Sequence, residues 1–302
     1  MSILSQSYLL STNNIFKNPA PPGSPIGYGE QVYTSAGTYT WTAPEQAAWT
    51  NISIVLVSAG RMNRPGGGGS VGGSLAYGNN IPVKFNQTYT IVVGDGTTPF
   101  NAPNPQNKTN DSSFSGPSGL LVRAVPGNPT TNGPVNTQVP TNTGYTGPAV
   151  TGGGTGGLGG PYSNGWFGDG GGGAGGYAGP GGRGGGGTPN PGYPTGRGTN
   201  GVGGGGGGGG GSGPGSGPSY VGGPGGGVGL HGRGPNGSGA SSNGTGGNGS
   251  PGPTGVFGGG AGSDGSGSQV QYGQPGGVRI LWGGPPVPAG GTNRLFPNSN
   301  VS

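Results

Sequence analysis

The sequence predicts an all-β protein in which a C-terminal strand completes a small β-sandwich or jelly-roll-like domain, with a polyglycine-II helix bundle inserted before that strand. Three observations support this prediction. Apolar segments with strand-like patterns lie between residues 28 and 125, glycine occupies about every second position from 151 to 267, and the apolar segment VRILW follows at 278–282. No segment shows a capped 3.6-residue apolar period, so no helix is predicted.

The first part of the domain contains four predicted strands, at 37–43, 50–59, 88–96 and 119–125. The segment TNISIVLVSA at 50–59 is almost continuously apolar, which predicts a strand buried on both faces. Trp41, Trp49, Tyr89 and Trp282 lie in or beside predicted strands and are expected to belong to the core.

The segment VRILW is predicted to be a strand that returns to the N-terminal domain. Strand alternation places Val278, Ile280 and Trp282 on one face and Arg279 and Leu281 on the other. A strand this apolar needs partners for its backbone groups, and we expect it to fill an open edge of the sandwich.

The glycine-rich region carries a three-residue pattern. In GGAGGYAGPGGRGGGG the side chains recur at every third position, at Ala174, Tyr177, Pro180 and Arg183. Polyglycine-II helices have three residues per turn, and backbones without Cβ atoms can approach closely enough to bond to one another. We therefore expect glycine inside the bundle and the third residue outside. A flexible Gly-rich linker is the alternative that composition alone supports.

These features divide the chain into an N-terminal arm or linker at 1–27, a β-sandwich domain with a Pro/Asn-rich connection at 28–150, the polyglycine-II bundle at 151–267, and a return strand with a C-terminal tail at 268–302. The chain has 302 residues with 87 Gly, 32 Pro and 26% hydrophobic residues, a composition unlike that of an ordinary globular domain.

Several functions are excluded by composition. The net charge of +5 comes from scattered residues without a basic run, so no nucleic acid is expected as a partner. The chain has no cysteine, which excludes disulfides, zinc-thiolate sites and thiol nucleophiles. No apolar segment is long enough to span a membrane, and no signal-peptide pattern is seen at the N-terminus. His231 is the single histidine, is expected to be exposed, and has no acid nearby in sequence. No catalytic residue, metal site or cofactor is predicted, and the chain is not expected to be an enzyme.

The candidate binding residues lie in the breaks between glycine runs: Tyr162, Trp166, Phe167, Tyr193 and Arg197. No conventional core is available there for the aromatic rings. They are expected either to pack over the end of the bundle or to stack on sugars or partner chains. Arg197 could pair with anionic surface glycans.

Three parts of the sequence resemble phage structural proteins. AGTYTWTAPEQAAWTNISIVLVSAG with the following GGGGSVGGSLAYGNNIPVKFNQTYTIVVGDG resembles the glycine-rich domain of phage tail proteins. GGVRILWG with the later RLFPNSNVS resembles the C-terminal signature of structural proteins of phages that infect cyanobacteria. The glycine-rich middle is similar to the polyglycine sandwich at the tip of T-even-like long-tail-fibre adhesins.

The resemblance implies a non-enzymatic virion protein, made in the host cytoplasm and carried on the extracellular particle. As a tail-fibre or tail-tip adhesin it would bind other virion proteins, copies of itself, and a host-surface glycan or outer-membrane protein. The alternative is a purely architectural protein, either a virion decoration or a self-assembling extracellular fibre.

Overall fold

The computed structural model of the protein describes residues 29–44, 51–62, 69–97, 110–126, 145–160, 169–186, 198–202, 222–232, 236–238, 256–262, 271–283 and 295–297. Trp49 and the glycine run 203–211 lie outside these described residues. Every strand pairing in the described part is antiparallel, and the ten strands form two five-stranded sheets. The all-β prediction is therefore confirmed.

The first sheet has the order β1-β10-β3-β4-β9. Its strands are β1 (Gly29–Tyr33), β3 (Asn51–Val57), β4 (Leu75–Pro82), β9 (Gly152–Gly154) and β10 (Gly277–Trp282). The second sheet has the order β2-β5-β6-β7-β8. Its strands are β2 (Gly37–Thr42), β5 (Thr88–Val93), β6 (Ser112–Gly116), β7 (Gly119–Ala124) and β8 (Tyr145–Thr146).

A single hydrophobic cluster joins the facing sides of the two sheets into a sandwich-like arrangement. Trp41 is at its centre, with ring centroids 5.6 Å from Tyr89, 6.2 Å from Phe114 and 5.9 Å from Trp282. Trp41 and Tyr89 are buried and Trp282 is partly buried against the same cluster, as expected from the sequence. Aromatic rings at these separations contribute beyond the area that they bury.

The segment VRILW returns to the first sheet, but its place there differs from the expectation. Strand β10 lies between β1 and β3 and pairs with both, so it is an internal strand and not an added edge. Val278 and Ile280 enter the core between the sheets, as their alternation predicts. An internal position satisfies the backbone groups on both sides of an apolar strand, which an edge position cannot do.

Glycine-rich segments cover the other face of the first sheet. Val55, Val57 and Leu281 on this face share a hydrophobic cluster with side chains from the glycine-rich region, namely Ala174, Tyr177, Val228, Leu230 and Phe257. Six of the seven residues of β3 are buried, as the continuous apolar pattern predicts. The sheet is thus covered on both faces by one chain.

The expectation that every third residue of the glycine-rich region points outward is wrong for part of the pattern. Ala174 and Tyr177 are 0% and 4% exposed, whereas Pro180 is exposed and Arg183 half-buried. The physical reason is that the apolar second face of the first sheet must be covered. The three-residue repeat supplies one row of side chains that can do this.

Candidate binding surface

The described segments 155–160, 169–186, 222–232 and 256–262 form what we call the glycine-rich block. In its segment 169–177, three successive N–H groups point to three different neighbouring segments, two of the block and the adjoining segment 69–74. The donors at 173, 174 and 175 bond to segments 179–186, 222–232 and 69–74 respectively, and the donors at 170, 171 and 172 bond to the same segments in the same order. The six N···O distances are 2.8–2.9 Å. The bonding pattern therefore repeats every three residues.

Close approach of the backbones explains why these segments require glycine. A Cβ on Gly157 would overlap the carbonyl oxygen of Gly182, and one on Gly172 would overlap that of Gly157. Neither glycine has a backbone φ in the left-handed range that otherwise favours this residue. Glycine is needed at these positions because it lacks a side chain.

Several segments of the block meet at one end. The N–H of Gly160 donates to the carbonyl of Gly170 at 2.7 Å, and the N–H of Gly170 donates to the carbonyl of Gly185 at 2.9 Å. Residues 160 and 169, on either side of positions 161–168, therefore lie at the same place in the block. Segment 169–186 also ends there, one residue after Gly185.

Other segments converge on the same place. A Cβ on Gly69 would overlap the carbonyl oxygen of Gly170, one on Gly222 would overlap that of Asp169, and one on Gly262 would overlap that of Gly222. We call this the loop-bearing end and define it by Gly69, Gly160, Gly170, Gly185, Gly222 and Gly262. Fixed backbone thus flanks chain segments that leave the block here.

All five predicted binding residues belong to such connecting segments. Tyr162, Trp166 and Phe167 lie within 161–168, and Tyr193 and Arg197 lie within 187–197, so all five are outside the described residues. The described residues 160, 169 and 186, next to these segments, lie at the loop-bearing end. The sequence pattern alone had no means of bringing these two breaks to one end, because that depends on which runs are neighbours.

A buried ion pair that was not predicted from the sequence links the first sheet to the block. The Arg279 side chain is fully buried, and its Nη2 donates to Oε2 of Glu30 at 2.6 Å while Nε donates to the same oxygen at 3.0 Å. Its Nη1 donates to the carbonyl of Leu230 at 3.2 Å. One sequence feature could have indicated this ion pair. Arg279 is the single charged residue of the apolar strand β10, and strand alternation places it on the face away from the sandwich core.

Tyr177 makes a second polar contact beneath the block. Its hydroxyl donates to the carbonyl of Gly229 at 3.1 Å and accepts from the N–H of Gly232 at 3.2 Å. Burial raises the pKa of Tyr177 above the usual tyrosine range, and the hydrogen bond from Gly232 opposes this shift. The phenol remains neutral at physiological pH and holds segment 222–232 against the sheet.

Residues 295–297 of the C-terminal RLFP element dock on β4. The Phe296 ring lies 6.0 Å from that of Tyr177 and 6.4 Å from that of Tyr77. The Asn79 amide bonds to both backbone groups of Phe296, donating to its carbonyl at 2.7 Å and accepting from its N–H at 3.0 Å. A side-chain amide here replaces a strand partner.

Charged side chains are few in the described part of the chain, and Asp169 at the loop-bearing end is buried. Asp111 accepts from Nε of Arg123 at 2.9 Å. Burial lowers the pKa of Arg61, and the charge of Asp111 opposes that shift. His231, expected to be exposed, is half-buried.

Within the described ranges no group of three or more acidic or histidine side chains could hold a metal ion. No helix among these residues has the length and hydropathy to cross a bilayer.

Comparison of the chain with protein-family models, with curated proteins and with solved structures gives no match.

Proposed function

We propose that this chain is a non-enzymatic phage virion protein, a tail-fibre or tail-tip adhesin that presents loops on a glycine-rich scaffold for binding to a host surface. One observation carries the proposal. Gly160 and Gly170, on either side of positions 161–168, are hydrogen-bonded in series with Gly185 at the loop-bearing end, just before positions 187–197. After those positions, the N–H of Thr199 donates to the carbonyl of Arg183 at 2.8 Å, close to the same end. Loops held at both ends by a rigid scaffold can vary in sequence without disturbing the fold.

We propose further that the segments of the glycine-rich block are polyglycine-II helices. The three-residue bonding period of segment 169–177 and its three separate neighbours support this assignment. A threefold helix directs successive N–H groups about 120° apart, which matches three residues per turn. We expect an experimental structure to show φ of about −75° and ψ of about +145°, or the mirror-image values, over residues 170–176. Irregular dihedral angles there would contradict the assignment.

The chemistry of the proposed contact is that of aromatic and cationic groups. Tyr162, Trp166, Phe167 and Tyr193 would stack on sugar faces or on an outer-membrane protein, and Arg197 would pair with an anionic group. Aromatic side chains provide a large contact area at a low cost in conformational entropy. The partners on the particle would be other virion proteins and copies of this chain.

Adsorption to host cells tests this proposal. Particles carrying Trp166→Ala with Tyr193→Ala are expected to adsorb at least about tenfold more weakly, since loss of one aromatic hot spot typically costs about 2 kcal/mol. Adsorption would be measured as the loss of free particles after mixing with cells, once electron microscopy has shown intact assembly.

Phe85→Ala provides the matched control. Phe85 is an exposed aromatic residue in the turn between β4 and β5. It follows the C-terminal end of β4, whereas the chain is bonded to the block before the N-terminal end of β4, where the N–H of Gly72 donates to Gly157. Its removal should leave adsorption unchanged. If the double variant assembles and adsorbs like the wild type, the proposal is wrong and the architectural alternative is favoured.

A further inference from the structure

The two sheets have four edge strands, and three of them carry features that discourage pairing with another chain. Strands β8 and β9 have only two and three residues. Strand β1 carries Glu30, whose carboxylate is held inward by Arg279. Short edges and inward-pointing charges are both known to protect sheet edges. Strand β2 has six residues, GTYTWT, without a charge or a proline.

The backbone of β2 presents a row of hydrogen-bonding groups at this edge. The N–H of Ala43 donates to the carbonyl of Gln87 at 3.0 Å, on the side of β5. Because bonding alternates along an antiparallel strand, Tyr39 and Trp41 also bond toward β5, and Thr38, Thr40 and Thr42 direct their N–H and C=O groups away from it. In the described part of the chain β2 pairs with β5 alone.

The same strand is chemically self-complementary. The order Thr-Tyr-Thr-Trp-Thr reads similarly in both directions about Thr40, as a strand that pairs with its own copy across a twofold axis requires. Such pairing sets Thr40 opposite Thr40 of the partner subunit and Tyr39 opposite Trp41 of the partner subunit. The threonines are exposed on the outer face, while Trp41 is buried and Tyr39 half-buried on the inner face. Thr–Thr and aromatic cross-strand pairs both stabilise sheets.

We propose that β2 pairs antiparallel with β2 of a second copy of this chain, which joins the two second sheets into one continuous sheet. The pairing uses the N–H and C=O groups of all three threonines on each strand, giving about six backbone hydrogen bonds in the alternation of an antiparallel ladder. This inference rests on the sheet edge and not on the proposed adhesin function. A monomeric adhesin would contradict it without affecting that function.

Disulfide trapping tests the register directly, because the chain contains no cysteine. Cα atoms of a directly opposed, hydrogen-bonded pair lie about 5.5 Å apart, within the range that a disulfide bridges. The full chain with Thr40→Cys should form a covalent dimer in mild oxidant. Thr90→Cys is the control, because Thr90 lies opposite Thr40 on β5, on the same face but inside the sheet. Equal cross-linking of the two variants would overturn the proposal.

Charge repulsion gives an independent measurement. Thr40→Lys places two ammonium groups opposite one another across the axis, and should raise the dissociation constant of the dimer at least about tenfold in analytical ultracentrifugation. Thr90→Lys adds the same charge to the same face and should leave the constant within about threefold, because its pairing partners are in its own chain. Circular dichroism would verify folding of both variants. A wild-type chain that stays monomeric at about 100 µM, or equal effects of the two lysines, would refute β2 pairing.

Discussion

Gly157→Ala is expected to destabilise the folded chain by about 3–6 kcal/mol, a large part of the stability of a typical domain. The new methyl group would overlap the carbonyl oxygen of Gly182, which is backbone and cannot turn aside. Separating the two segments would also weaken the bonds from Gly157 to Gly173 and from Gly72 to Gly157, at 2.8 and 2.9 Å. Overpacking costs about 1–3 kcal/mol, and each buried group left without a partner costs a similar amount.

The adjacent residue provides the control for this substitution. Leu158 is half-buried and lies at one of the positions where the three-residue pattern carries a side chain. Leu158→Ala should cost about 1 kcal/mol or less, because it removes partly exposed apolar surface and leaves the backbone contacts intact. Urea unfolding of both variants would measure the difference. A Gly157→Ala chain as stable as the wild type would show that the segments are not closely packed.

Arg279→Met is expected to destabilise the chain by about 3–5 kcal/mol, the usual result of removing one partner of a buried ion pair. The substitution keeps most of the side-chain volume but leaves the Glu30 carboxylate, which is nearly buried, without its guanidinium. It also removes the donor to the Leu230 carbonyl, which is one of the links between the first sheet and the glycine-rich block.

A double-mutant cycle separates loss of the ion pair from loss of packing. Glu30→Leu combined with Arg279→Met should recover most of the loss, because a buried pair replaced by apolar groups is often neutral in stability. The ion pair of Arg123 with Asp111 provides a comparison, because the Arg123 side chain is 29% exposed. Arg123→Met should lower the free energy of unfolding by about 1 kcal/mol or less. Additive single-site effects in the cycle would argue against direct coupling of Glu30 and Arg279.

Strands with clear apolar patterns were predictable from the sequence. Strands whose conformation depends mainly on pairing with neighbouring strands were not. β4 reads LAYGNNIP, and its Gly-Asn-Asn sequence is typical of a turn. In the structure it is an irregularity within an internal strand, where the pairing of β3 with β4 shifts and Asn80 takes a φ of 54°. β6 reads SSFSG, with one apolar residue, and its strand conformation depends on pairing with β5 and β7.

The types of residue in the candidate surface could be predicted from the sequence, but their common location at one end of the block could not. Aromatic residues in the breaks between glycine runs could be recognised from composition. Their attachment to one end depends on the pairing of Gly160, Gly170 and Gly185, which glycine runs of identical sequence cannot specify locally. The three-residue period was visible, yet it did not reveal that one row, including Ala174 and Tyr177, would cover a sheet.

Because the hydrogen bonds of segment 169–177 repeat every three residues, the place of a residue in the repeat determines which neighbouring segment its N–H bonds to. Inserting one residue after 171 would send every later N–H of the segment to the wrong neighbour, although the inserted residue could itself be glycine. Inserting three residues would restore each donor to its neighbour and lengthen the segment by about 9 Å. Length variation in such a scaffold is therefore confined to multiples of three within the runs, whereas the connections between runs can change by any number of residues.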